Sequence, residues 1–537
     1  MKKRVFVIGL DGATFNVIMP LVKEGELKNI AKLMNEGSWG ALRSTIPAFS
    51  PVAWTSMITG VNPGKHGIAD AFIHHKEYRM SFVNSTYRGY KPIWSILNSL
   101  GISTGVVNVP VTYPPEQVDG FLITGMFTPE HVDDFAYPTD LRKRIEEKAG
   151  KYIFEAVQSP NMNKVIKSTY EVIDQRDKIF SYLLSEYDLD FYFMVFVEAD
   201  RIQHSFWKYM DETFTDVSHR ERNKYGGVIT DIYKKLDKSV GNILEHYREG
   251  DTVMLVSDHG FDSLHRAFAL SNWLIEKGYT KYHTFGELSM PKPPSNIDSI
   301  KKKLFGKAYD KDKDKAINWY FQNIDWNATK AFTEGASGGI FINVEGRQKQ
   351  GIVKNGEEYE NVRHKIIDEL KELRDPATGK KVVKEAYRRE DIYTTDNFSG
   401  IPDIIVICEK GYHTISPSEC AYYRLSGKDM FFSHSWSGRH EEDGIFVVKG
   451  PMIKPGYYLE NANIMDVSPT VLYLMDKPLC AEFDGKVMLD AVRDEWKSAH
   501  PPRYTGGYTL KIGGSATDYS EQEEQQIEER LRNLGYL

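Results

Sequence analysis

Short, unbroken apolar runs alternate with longer stretches whose apolar residues recur at helical spacing. "RVFVIGL" (4–10), "ISTGVVNVP" (102–110), "DFYFMVFVEAD" (190–200) and "TVMLVSDHG" (252–260) have the length and β-branched or aromatic content of buried strands. Between them, "LKNIAKLMNEG" (27–37), "KPIWSILNSLG" (91–101), the segment closing on "SYLLSEY" (181–187) and "YGGVITDIYKKLDKSVGNILEHY" (225–247) predict amphipathic helices. Buried strands in regular alternation with helices predict an α/β fold with a largely parallel central sheet and helices on both faces.

Such sheets bind ligands beyond the carboxyl ends of their strands. Three of these runs end in polar residues: Asp11 after "VFVIGL", Asp200 after "FMVFVE" and the pair Asp258-His259 after "VMLVS". One edge of the sheet is therefore expected to carry the chemistry. The alternation weakens between Arg266 and Asn327, a Lys- and Pro-containing stretch that reads as an insertion or cap after the Asp-His pair. Strands are expected again at "GGIFINV" (338–344), "PDIIVIC" (402–408) and "DGIFVVKG" (443–450), where the core resumes. The division expected is a core of residues 1–265 and 328–500, with 346–430 partly cap, an insertion at 266–327, and a tail at 501–537. The tail carries a charged helix expected to dock through Leu531, Leu534 and Leu537.

With 41% apolar and 27% charged residues among 537, the chain has the make-up of a folded globular protein rather than a disordered one. A formal charge of -7, with basic residues dispersed, excludes a nucleic-acid polymer as the expected partner. The Lys-rich run from Lys301 to Lys315 reads as a solvated helix face or loop, or as a patch that receives an anion. Cys408, Cys420 and Cys480 are too few and too dispersed for a disulfide framework or a zinc cluster, and fit a reducing compartment. The N-terminal apolar run meets Gly-Leu-Asp-Gly and reads as a first strand, not a signal peptide. No run approaches the ~20 apolar residues of a membrane span. The expected location is the cytoplasm.

Asp200 and His204 stand four residues apart, so on a helix they share a face and can grip one cation. Asp258-His259 precedes Gly260 and a tight turn. His440 lies four residues ahead of the Gly that opens a late strand, with His434 as its rival. Each feature alone is an ordinary turn, cap or surface pair. Together they supply about six oxygen and nitrogen donors at strand ends, the number a two-metal site requires, and the donor set suits zinc or, as an alternative, manganese.

The stretches "VIGLDG", "SPVAWTSMITGVNPGKHGI", "EADRIQH", "VSDHGF", "SGRHEEDGIFVVKGP" and "DVSPTVLYLM" occur in an order that resembles the alkaline phosphatase superfamily. Within it the chain is similar to the type I phosphodiesterase and nucleotide pyrophosphatase group and its phosphohydrolase or phosphomutase-like relatives. The resemblance implies an alkaline phosphatase-like fold and two divalent metal ions, one on Asp200, His204 and His440, the other on Asp11, Asp258 and His259. It also implies a nucleophile nine residues before the Thr of a Thr-Gly pair, which from Thr59-Gly60 is Ser50, itself a metal ligand. Ser50 precedes Pro51, and is expected to cap the following helix with its hydroxyl at the positive end of the dipole. Thr55 and Ser56 would lie inside that helix, where hydroxyls bond back to a carbonyl.

Two positions depart from the pattern or supplement it. Asp70, in "HGIADAF", stands where the group has an Asn that holds a phosphate oxygen; a carboxylate there repels a phosphate unless protonated or metal-bound. Asn108, at another strand end, is the candidate replacement contact. The expected activity is metal-dependent hydrolysis of phosphate esters, as diester, pyrophosphate or monoester, through a phosphoserine on Ser50. Its substrate is a small phosphorylated molecule, and the chain is a candidate homo-oligomer. The alternatives are a phosphoglycerate mutase-like phosphomutase and a non-catalytic relative that binds a phosphorylated ligand. The mutases carry a large insertion soon after the nucleophile, where this chain runs straight on. A sulfatase is disfavoured because no CxPxR-like motif surrounds Ser50. "GASGG" (335–339) matches GxSxG around Ser337, but the run after it reads as a strand, whereas a nucleophile elbow leads into a helix.

Overall fold

A computed structural model describes residues 3–157, 159–283, 321, 323–335, 338–395, 398–417, 429–512 and 516–534, with the side chains at 529 and 531–534 outside that set. The Lys301–Lys315 run, Cys420, Ser337 and most of the 266–327 insertion lie outside the described residues, as do the leucine side chains expected to dock the tail.

The apolar runs form the centre of the molecule. Among the described residues, Thr252–Val256, Val5–Leu10, Phe191–Phe196, Thr104–Val109 and Gly120–Thr124 lie side by side in that order, all parallel. Val5 is level with both Phe191 and Thr252. Asp443–Lys449 adds antiparallel to Thr252–Val256 and is followed by Ser38–Arg43. Short strands complete a ten-stranded sheet.

Alternation along the strands divides the core in two. Phe6, Ile8 and Leu10 join a cluster with helices Phe15–Lys23, Lys28–Glu36, Met162–Glu186, Glu198–Met210 and Val228–Leu244. Val5 and Val7 pack on the other face, with helices Ser50–Thr59, Ile93–Ser99 and Val467–Leu474. Because both faces are covered, the middle positions of these strands are almost all apolar, and this is why they read as continuous apolar runs. At the amino ends of the strands, a buried ion pair of 2.5 Å joins Arg4 to Asp251.

The strands Gly339–Ile342 and Ile404–Cys408 form where expected but do not return to the central sheet. They build a second, four-stranded sheet with Ala331–Thr333 and Val383–Arg388, backed by the helix Glu357–Lys371. Only Asp443–Lys449 rejoins the central sheet. Apolar content fixes that a segment is a buried strand, and says nothing of which sheet buries it.

Asp403 pins this second unit. Its carboxylate receives Arg347 at 2.5 Å, Arg389 at 3.2 Å, the Tyr359 hydroxyl at 2.8 Å and the Ile342 amide at 2.7 Å. Burial alone would raise its pKa, but the two guanidinium groups outweigh burial and hold it below the usual carboxylate value. A depressed folded pKa contributes stability above the unfolded value, near pH 4, and loses it as pH falls through the folded value. Asp403→Asn is expected to cost about 3 kcal/mol at neutral pH, since it removes the fully buried charge that two partly buried arginines share, and to flatten the acid limb of the stability profile. Denaturant unfolding at pH 7 and at pH 3 measures both.

Candidate active site

The parallel strands deliver their carboxyl ends to one edge. Asp11 follows Val5–Leu10, Asp200 lies in the first turn of the helix after Phe191–Phe196, and Asp258-His259 follows Thr252–Val256. His440 arrives on the strand Gly438–Glu441, paired with Gly260–Ser263 so that His440 is level with Phe261. The side chains gather in two triads, Asp200 with His204 and His440, and Asp11 with Asp258 and His259, with the donor atoms of each triad within 4.8 Å of one another. His440 Nε2 is 3.1 Å from Asp200 Oδ1 and 3.1 Å from His204 Nε2, and His204 Nε2 is 3.3 Å from the same carboxylate oxygen. In the second triad His259 Nε2 is 3.3 Å from Asp258 Oδ2 and 3.7 Å from Asp11 Oδ1. The two lie against each other, with the His259 and His440 rings stacked at 3.7 Å.

The three histidines share one hydrogen-bonding pattern. His204 Nδ1–H donates to the Gly438 carbonyl at 3.0 Å, His259 Nδ1–H to Gly260 at 3.0 Å, and His440 Nδ1–H to Ala48 at 3.1 Å. In the neutral ring a proton held on Nδ1 by a carbonyl leaves the lone pair on Nε2, and all three Nε2 atoms point into the cluster. That is the tautomer a metal-bound imidazole needs.

The carboxylates fit cations equally well. Asp11 Oδ1 and Asp258 Oδ2 are buried with no hydrogen-bond partner, an arrangement that costs free energy unless a positive charge sits between them. Burial, and then the neighbouring carboxylates, hold Asp11 well above the usual range and push Asp258 up to about 8. Burial also works against ionised Asp200, yet His204 and His440 hold it well below that range. Burial lowers His259 to about 4, with His440 adding to the effect, and burial lowers His440 as well. Crowded, desolvated carboxylates beside three imidazoles form a candidate ligand set for divalent ions.

Ser50 lies at the edge of this set. Its Oγ is 3.1 Å from His259 Nε2, so the serine oxygen and a bare ring nitrogen converge on one region. The expectation that Ser50 caps its helix is corrected: Phe49 occupies the N-cap position, Ser50 is the first helical residue, and no side chain caps this end. The hydroxyl is thereby not spent on a backbone amide. Thr55 bonds back to the Pro51 carbonyl at 2.6 Å as expected. Ser56 does not; its Oγ meets His66 Nε2 at 2.9 Å. His66 Nδ1 accepts the Ile68 amide, so Nε2 carries the proton, and burial lowers the His66 pKa to about 3.

Asp70 and Asn108 stand outside the triads. Asp70 is buried, accepts the Ala71 amide at 2.5 Å, and lies so close to Gly335 that a Cβ there would be 2.6 Å from its Oδ2. Asn108 has a left-handed φ of 61° at a bulge between Val107 and Val109, and its Nδ2–H donates to the Val195 carbonyl at 2.9 Å. Its amide thus mends the ladder where the bulge breaks it. His434 accepts the Trp436 amide at 2.9 Å and belongs to neither triad.

Trp54 was not singled out by sequence reasoning. It is fully buried, and its Nε1–H donates to Asp11 Oδ2 at 2.8 Å, leaving Oδ1 turned toward the cluster. Gly9 makes the room, since a Cβ there would be 2.5 Å from the indole. The signal was an N–H-bearing aromatic in a wholly buried helix. Trp54→Phe keeps most of the packing and removes the donor. It is expected to weaken cation binding at the Asp11 triad about ten-fold, read by calorimetric titration with zinc.

The sequence from residue 5 to residue 437 matches the model of the type I phosphodiesterase / nucleotide pyrophosphatase family. The chain belongs to that family. The matched region holds five of the six triad residues and Ser50, and stops three residues short of His440. Membership indicates a phosphoester hydrolase, in a family that acts on small phosphorylated substrates such as nucleotides. No curated protein matches the chain by sequence. Among solved structures, human ectonucleotide pyrophosphatase / phosphodiesterase 5 superposes with a TM-score of 0.52 at 14% identity, covering 92% of this chain and 100% of that one. The murine counterpart, an inactive form in complex with AMP, gives 0.51 at 12%, covering 91% and 100%. Phosphonoacetate hydrolase from Sinorhizobium meliloti, in complex with phosphonoformate, gives 0.52 at 13%, covering 88% and 95%. At these identities the likeness is one of fold, and it agrees with the largely parallel sheet flanked by helices. No helix among the described residues is long and apolar enough to cross a membrane.

Proposed function

We propose that the protein cleaves phosphate esters at a two-cation site through a covalent phosphoserine on Ser50. The observation that carries this reading is the gathering of Ser50 Oγ, three imidazole Nε2 atoms and three buried carboxylates in two adjoining triads, in which Asp11 Oδ1 and Asp258 Oδ2 have no hydrogen-bond partner. Two divalent cations, zinc or manganese, held by Asp200, His204 and His440 and by Asp11, Asp258 and His259, would supply Lewis-acid charge to the phosphoryl oxygens.

The chain's own groups do the rest. Ser50 gives up its proton to solvent, and its oxygen forms a bond to phosphorus as the bond to the leaving oxygen breaks on the opposite side. Water then attacks the phosphoserine, releasing the phosphate and restoring the hydroxyl. Ser50 sits at a helix amino end whose amides are not capped by a side chain, and these favour the negative charge of the phosphoryl group.

The leaving group is read by a cleft beside the triads. Phe49, Trp436 and His434 face Val406 and Lys384 from the second unit. The division into core and cap is part of this proposal: the second sheet selects the leaving group. Turnover of an aryl phosphate monoester and the matching diester, with zinc, manganese and magnesium in turn, tests the reading. Activity on at least one ester that needs an added cation supports it. Stoichiometric cation binding without turnover of either ester favours a binding protein instead.

A further inference from the structure

Behind Asp200, on the side away from the second triad's carboxylates, runs a line of buried charges that the reaction does not use. Asp200 turns Oδ1 toward His204 and His440 and gives Oδ2 to Arg201 Nη1 at 3.2 Å. Arg201 Nη2 is 3.3 Å from Glu155 Oε2, and Glu155 Oε1 is 3.8 Å from Arg530 Nε. All four side chains are at least nine-tenths buried, at 1%, 3%, 5% and 7% exposure in that order. Arg530 belongs to the C-terminal helix Glu521–Leu534, so a segment at the far end of the chain reaches the back of a candidate cation ligand.

The last two members of this line are anchored. The loop that carries Glu155 is held by the helix Met162–Glu186: Arg176 Nη2 donates to the carbonyls of Ile153 at 2.7 Å and Phe154 at 2.9 Å, and Gln175 accepts the Ile153 amide at 2.8 Å. The C-terminal helix is docked by Arg530 Nη1 on the Thr128 carbonyl at 2.6 Å, by fully buried Ile527, and by Tyr519, whose hydroxyl donates to the Phe127 carbonyl at 2.8 Å. Four acidic and basic side chains buried in a row are costly to desolvate, which packing alone would not require.

We propose that Arg201, Glu155 and Arg530 are positioning residues that fix Asp200 for its cation, so that docking of the C-terminal helix sets the affinity of the Asp200–His204–His440 site. This rests on the two-cation reading above. Arg201 occupies the second oxygen of Asp200, which leaves one oxygen, in one orientation, for the ion. Glu155 offsets the charge of Arg201, which would otherwise repel a cation across the carboxylate. Arg530 holds Glu155 against Arg201. Partners of this kind behind a metal ligand are worth 10–100-fold in affinity.

The test is calorimetric titration of the chelator-stripped full-length chain with zinc alone. Wild type is expected to bind two ions, and Asp200→Asn to lose one of them. Glu155→Gln keeps the shape and removes the carboxylate charge that offsets Arg201 on the side away from Asp200; it is expected to weaken one of the two ions 10–100-fold and to leave the other unchanged. Arg530→Met is expected to weaken the same ion by at least several-fold, Arg530→Lys to restore most of that loss, and the Glu155→Gln, Arg530→Met pair to be no weaker than Glu155→Gln alone. A purely structural role would not confine the loss to one ion or be rescued by lysine. If Asp200→Asn loses one ion while Glu155→Gln and Arg530→Met bind both as wild type does, the relay is overturned. If Asp200→Asn binds both ions normally, the two-cation reading fails and takes the relay with it. Should Glu155→Gln not fold, the Arg530→Met and Arg530→Lys comparison decides.

Discussion

Ser50→Ala is expected to lower kcat by about 10³-fold or more, with cation binding and thermal stability nearly unchanged. The magnitude follows from the role proposed for the hydroxyl. If it forms the bond to phosphorus, its removal forces water to attack directly, without the covalent step that divides the barrier. Every tenfold loss in rate is about 1.4 kcal/mol of transition-state stabilisation, so the substitution removes about 4 kcal/mol or more from the reaction. It removes little from the fold, because Ser50 does not cap its helix; the cap position is Phe49. A serine that merely capped would behave in the opposite way, losing about 1 kcal/mol of stability and no activity. Steady-state rates and melting curves of the same preparation separate the two.

Chelation is expected to abolish activity and to lower the melting temperature, and added zinc or manganese to reverse both. Asp11, Asp200 and Asp258 meet in one buried cluster, and Asp11 Oδ1 and Asp258 Oδ2 have no hydrogen-bond partner. Without cations, those buried carboxylates must repel each other or take up protons, and the folded state bears the cost. A cation that binds only the folded chain stabilises it by about 2.7 kcal/mol per site at a free concentration about a hundred times Kd. Differential scanning with and without chelator reads the shift. An activity indifferent to prolonged chelation, with an unchanged melting temperature, would remove the cations from the account.

The sequence made the sheet legible because its strands are buried on both faces, so "VFVIGL" and "FYFMVF" could not hide among amphipathic segments. The same property made the site legible: Asp11, Asp200 and Asp258-His259 interrupt apolar runs where a polar residue is costly without a purpose. His440 was reachable only through its spacing to a later strand and through family resemblance, since a loop histidine has no periodicity to betray it. Sheet membership was not legible, because Gly339–Ile342 is as apolar as a central strand and finds its burial in a second sheet. The supports of the site were hidden as well. Trp54, Glu155 and Arg530 act through pairings between distant parts of the chain, and nothing in the local pattern of any of them indicates its partner. Asn108 shows the converse: a polar residue at a strand end that looked like a substrate contact has a bulge to mend.

The central claim is that the phosphoryl group passes through Ser50 before it reaches water. Hydrolysis of a phosphorothioate diester of defined configuration at phosphorus, carried out in oxygen-18 water, tests it directly. Each in-line displacement inverts phosphorus, so attack by Ser50 followed by attack by water predicts net retention. Net inversion would mean a single displacement by water, and would contradict a covalent intermediate on Ser50.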